Sequence, residues 1–277
     1  MDTEQEQTSR LPVRRNLALA YIISFGIAVL MAVASIAGIL YRTDIYPNEE
    51  LLQSAVPTDV ANLCIGLPFL LGSLWLARRG RLAGLLSWPG ALFYVVYTYG
   101  VYVLCMPLNG ALLLQVALVT LSAYTFIAVV ASIDGQAVRR LLYGHVYERL
   151  CGAILILLGV AFLLQAGGAL ISALYSQAPI GQEEVALHIA DAICAPALVI
   201  GGVLLFRREA LGYVAGLGLL FQTSMLFVGL MVFLLVQPRL VDVPFAPGDV
   251  VLVAILGLIC FVPFGLFLRG VVGSTAR

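Results

Sequence analysis

Long apolar runs alternate with short polar turns along the whole chain. Eight runs, at about 17–40, 59–77, 82–104, 109–132, 150–174, 188–206, 211–236 and 249–268, can each cross a hydrocarbon core, which takes about 20 apolar residues as a helix. They predict an all-α, polytopic integral membrane protein with eight transmembrane helices. No connection between runs is long enough for a soluble domain, so any chemistry must use the helices and their short turns.

The second four runs echo the first four. Tyr41, seven residues and Glu49-Glu50 correspond to Tyr175, seven residues and Glu183-Glu184; a shift of 129 positions then puts Asn62 on Asp191, Gly72 on Gly201 and Arg78-Arg79 on Arg207-Arg208. Pro107-Leu108-Asn109 likewise falls on Pro247-Gly248-Asp249. This predicts two tandem four-helix repeats, at 17–132 and 150–270, joined by a linker at 133–149 and flanked by tails at 1–16 and 271–277. Units with an even number of spans share one orientation, so the pseudo-twofold axis would run along the membrane normal. The seam between the units is the expected site. Basic residues precede the first run, as in a signal peptide, but its length and its mid-chain counterpart favour a retained helix.

Charge orients the bundle. Thirteen of the 15 basic residues fall in the tails and the turns after the second, fourth and sixth runs; only Arg42 and Arg239 lie at the other end. By the positive-inside rule both termini are cytoplasmic and the protein sits in a bacterial cytoplasmic membrane. Nine acidic residues, among them Asp44, Glu49, Glu50, Glu183, Glu184 and Asp242, fall on the opposite, outer face.

Composition removes several function classes. The chain is 62% hydrophobic and 11% charged, far from a soluble domain. It contains no lysine, which excludes a retinal or pyridoxal Schiff base and the P-loop grip on phosphate. With His145 and His188 the only histidines, multi-histidine zinc sites and paired-histidine haem sites lack ligands. Five dispersed cysteines with no CxxC read as buried free thiols. No cofactor is expected, and nothing resembles a nucleic-acid-binding module.

Polar residues inside a bilayer are costly and mark candidate sites. Glu184, His188 and Asp191, four and three positions apart, share one helical face that could hold a cation or relay protons. The repeat adds Asp59 and Asn62, with Asn109 and Asp249 completing an outer vestibule. Asp59, Asp191 and Asp249 read equally well as first-turn carboxylates capping helix N-termini. Tyr94, Tyr97, Thr98 and Tyr102 form a stripe on the third run that could line a cavity. Gln115 would line it too, although Gln115, Gln165 and Gln222 also suit bonds between helices. Pro68 and Pro196 fall at similar depth in equivalent runs and point to paired kinks.

Leu67-Pro68, Leu76-Ala77-Arg78-Arg79-Gly80, the tyrosine stripe and Asn109 before Leu112-Leu113-Leu114-Gln115 resemble a family of multispan bacterial integral membrane proteins over residues 38–122. The resemblance implies a membrane location and no activity. The residues themselves favour a small transporter or channel-like protein for a small solute or cation. A non-catalytic subunit of a larger membrane complex is the second reading. A lipid-modifying enzyme ranks third, because no nucleophile, base and orienting group stand together. Membrane lipids are the expected partners, with homo- or hetero-oligomers open.

Overall fold

A computed structural model describes residues 11–176, 181–241 and 243–274. Arg10, Asp242 and Arg277, which entered the charge pattern, lie outside the described residues. The elements are α1 (Ala18–Leu40), the short α2 (Arg42–Ile45), α3 (Glu49–Ala61), a π-helical turn (Asn62–Gly66) running into α4 (Leu67–Arg78), α5 (Leu82–Cys105), α6 (Gly110–Ser132), α7 (Gly135–Leu142), α8 (Glu148–Ser176), α9 (Gln182–Phe206), α10 (Ala210–Leu240) and α11 (Pro247–Ser274). Eight helices, counting α3 to α4 as one, are long and apolar enough to cross a membrane, and such a set makes a multi-pass, membrane-embedded protein. The apolar side chains that ring the bundle, such as Leu19, Phe25, Leu164 and Ile255, are exposed on its outside.

Several helices start earlier than hydropathy predicts. α3 begins at Glu49 rather than near 59, and α9 at Gln182 rather than near 188. The carboxylates there lower hydropathy, but Glu, Gln, Leu and Ala are strong helix formers, and acidic residues suit the positive end of the helix dipole. Asp59 and Asp191 therefore lie deep within their helices, which overturns the capping alternative for both; only Asp249 occupies a first turn.

Proline sets the geometry of the second long helix. Pro57 has no N–H to offer the carbonyl four residues back, at Gln53, and the Gln237 amide from α10 donates to that oxygen at 3.1 Å. Ahead of Pro68 the backbone opens into a π-turn, in which the Leu67 N–H reaches Asn62 O, five residues back.

Two turns at the arginine-rich end share one design. After α4, Gly80 has φ 73° and Arg81 N–H bonds Leu76 O; after α9, Arg208 has φ 61° and Glu209 N–H bonds Leu204 O. Gly84 and Gly212 then bring α5 and α10 hard against the ends of the preceding helices. Gly80 and Arg208 hold the left-handed position in the two turns.

α1 packs on α3–α4 and α6, while α5 packs on α4 and α6; in the other set α9 packs on α8 and α10, and α11 on α10 and α8. The two sets join where α5 meets α10, α10 meets α3 and α5 meets α9. α5 and α10 are the most buried helices and form the centre. At the arginine-rich end, Glu148 accepts from Tyr213 Oη at 2.9 Å and Gly144 N at 3.1 Å, with Arg208 at 3.9 Å.

Candidate functional site

The two sets of helices do not meet along their full length. Between them lies a partly open cavity of about 420 Å³, walled by α3, α5, α9 and α10, with Phe162 and Gln165 of α8 at one side. It extends from Leu51, Cys105 and Glu183 near the acidic end to Phe93, Tyr94, Leu198 and Gln222 at mid-bundle. Below it the bundle is solid. Gly90 of α5 lies so close to Gly218 of α10 that a Cβ on it would overlap the Gly218 carbonyl, and Trp88, Leu86 and Leu217 around this crossing are fully buried.

Five of the α5 lining residues, Tyr94, Thr98, Val101, Tyr102 and Cys105, lie 128 positions before the α10 lining residues Gln222, Leu226, Gly229, Leu230 and Phe233. On α3 and α9, above the π-turn, Ser54 matches Glu183 and Thr58 matches Leu187 at the spacing of 129.

Tyr94, Tyr97, Thr98 and Tyr102 all line the cavity, because helical spacing puts them on the α5 face turned to α9 and α10. Asp191 lines it too and accepts from Tyr97 Oη at 2.7 Å; its second oxygen has no protein partner among the described residues. Glu184 and His188 do not. On α9 the lining face is Glu183, Leu187, Asp191, Ala195 and Leu198, so Glu183 replaces Glu184 and His188 turns into the protein. His188 Nε2 stands 3.8 Å from Glu184 Oε1, and its buried Nδ1 has no partner. Among the described residues no three His, Cys, Asp or Glu side chains converge to hold a metal ion.

The remaining candidates sit one layer back or elsewhere. Asp59, 1% exposed, accepts from Tyr46 Oη at 2.6 Å and from Tyr102 Oη at 3.4 Å. Burial, with the Asp59 carboxylate beside it, pushes the Tyr46 phenol far above its ordinary range. Asn62 accepts from Tyr94 Oη at 3.0 Å, behind the cavity wall, and its amide nitrogen has no partner. Gln115 is buried in α6, away from the cavity, with its oxygen unpartnered. Asn109 caps α6 through Leu112 N at 2.9 Å and donates to Ile45 O at 3.3 Å. Asp249 is exposed and outside the cavity. Cys64 is exposed, unlike the buried thiol expected there, and every cysteine is free.

Sequence reasoning missed Glu183, Gln165 and Gln222 as lining groups. The i, i+4, i+8 spacing of Glu183, Leu187 and Asp191 carried the signal, but the face beginning at Glu184 fits a helix equally well. Chemically, the described residues present two carboxylates, amides and phenols within largely aromatic and aliphatic walls, and no arginine or histidine among them. Comparison of the chain with protein-family models, with curated proteins and with solved structures returns no match.

Proposed function

We propose that the protein is a small transporter of a cell membrane that takes a small solute from its acidic face into the cavity at the seam of two tandem, parallel four-helix repeats. The carrying observation is the cavity itself, which extends from the acidic end to mid-bundle and stops above the Gly90–Gly218 crossing. A site accessible from one face and sealed toward the other is what alternating access requires. The repeat reading is supported by the two αL turns and by the packing pattern, in which the neighbouring-helix contacts of one set, α1 with α3–α4, α3–α4 with α5, α5 with α6 and α1 with α6, have counterparts in α8 with α9, α9 with α10, α10 with α11 and α8 with α11. The arginine distribution supports cytoplasmic termini and an outward-facing cavity in a cytoplasmic membrane.

The test is uptake by proteoliposomes of radiolabelled amines, neutral solutes and inorganic cations, comparing wild type with Asp191→Asn and Gly218→Leu. Saturable uptake of one class, reduced by both variants, is the expected result. Leak-level uptake of every class overturns the reading. A non-catalytic subunit is the second reading, favoured by α8, whose long apolar face is the least covered of the eight and offers a surface to another protein.

A further inference from the structure

We infer that the cavity takes an amphipathic organic cation, an amine or quaternary ammonium on an aryl or short alkyl body, with its charge beside Asp191. The inference deepens the reading of the cavity as a solute site. Sign comes first. Among the described residues Glu183 and Asp191 line the cavity and no arginine or histidine does, and Glu50 lies against Gly181 at the start of α9 beside the mouth, so the local potential favours cations.

An inorganic cation is poorly served here. Glu183 and Asp191 are eight residues apart on one helix, about 12 Å along its axis, so neither can join the other around a bare ion. Asp191 offers one oxygen held by Tyr97 and one without a protein partner, too few ligands to replace a hydration shell. An organic cation needs less. Its positive group meets a single oriented carboxylate, while its body is covered by Phe93, Phe227, Leu198 and Leu226. Tyr97 and Tyr94 are among the lining side chains, and aromatic rings attract an ammonium more strongly where water is excluded. The volume of about 420 Å³ fits a molecule of drug-like size or smaller.

The same chemistry could arrive as a free solute or as a choline-type lipid headgroup, and the experiment separates the two. The full chain in nanodiscs of phosphatidylglycerol, which carries no amine, is titrated calorimetrically with benzyltrimethylammonium, its uncharged isostere neopentylbenzene and the anion benzenesulfonate. Saturable one-to-one binding of benzyltrimethylammonium alone is expected. Asp191→Asn should weaken it about tenfold, and Glu183→Gln and Tyr97→Phe about threefold, with unchanged thermal unfolding. Competition by lysophosphatidylcholine but not by choline would assign the source to lipid, and the reverse to a free solute. Equal binding of benzenesulfonate, or an Asp191→Asn variant that binds as wild type, overturns the inference. Cation binding without uptake sinks the transport reading and leaves the ligand class standing; uptake of a neutral solute without cation binding does the opposite.

Discussion

Gly90 and Gly218 meet backbone to backbone, at the point where α5 crosses α10 and the cavity ends. The contact is unequal. A Cβ on Gly90 would overlap the Gly218 carbonyl, whereas a Cβ on Gly218 would lie 3.0 Å from Leu86 O and 3.1 Å from Gly90 N, which small shifts accommodate. Gly90→Ala should therefore cost about 1–3 kcal/mol and Gly218→Ala clearly less, measured by thermal unfolding in detergent. Equal losses would mean that the helices separate freely at this crossing.

Asp59 depends on the hydroxyl of Tyr46. Tyr46→Phe leaves a buried carboxylate oxygen without its donor and should cost about 1–3 kcal/mol, with Tyr46→Leu no better. Burial raises the folded-state pKa of this phenol above its unfolded value, so its contribution is complete below about pH 10 and fades as pH climbs beyond that. An alkaline titration of unfolding should show wild type losing stability above pH 10 and Tyr46→Phe losing less.

At the arginine-rich end, Arg14 Nη2 donates to Asp134 Oδ1 at 2.9 Å, and two backbone bonds, Arg14 N to Ser132 O and Asp134 N to Pro12 O, fasten the same segment. The Arg14 guanidinium holds the Asp134 carboxyl below the usual carboxylate range. A depressed pKa contributes stability that is full above the unfolded value and lost as pH falls through the folded one, so this tether should loosen below about pH 4. Protection of the Arg14 and Asp134 amides, taken relative to the unstructured exchange rate at each pH, should fall there, and Asp134→Asn, which keeps the α7 cap, should remove that pH dependence.

The two αL turns predict opposite responses to glycine chemistry. Gly80→Ala should cost about 1–2 kcal/mol, since alanine resists φ 73°. Arg208→Gly relieves a similar strain at φ 61° but removes the guanidinium beside Glu148 and over Tyr143, so its melting temperature should change little. Arg208→Ala, which keeps the strain and loses the charge, should be the worst of the three.

The eight helices were legible because lipid leaves hydropathy as the dominant pattern, and the tyrosine stripe because one helix carries four hydroxyl residues on one face. What stayed hidden depends on rotation about helix axes. Glu183 and Glu184 differ by one position and point to different surroundings, and no local property separates them. Asp59 and Asn62 sit behind the wall because Tyr102 and Tyr94 stand in front of them, a relation between helices that spacing along one helix cannot carry. The starts of α3 and α9 were misjudged because hydropathy reports solvent preference, and a helix can continue into water.

The π-turn at Asn62–Gly66 interrupts one wall helix of the cavity near mid-bundle. One added residue turns the segment above it by about 100° relative to the segment below, a twist that the unbroken α9 opposite does not share. The two facing walls also differ in their side chains. One presents Ser54, Thr58 and Ala61, the other Glu183, Leu187 and Asp191. The carboxylates of this space thus stand on one flank only, so a charged guest would find the two flanks unequal and one orientation favoured.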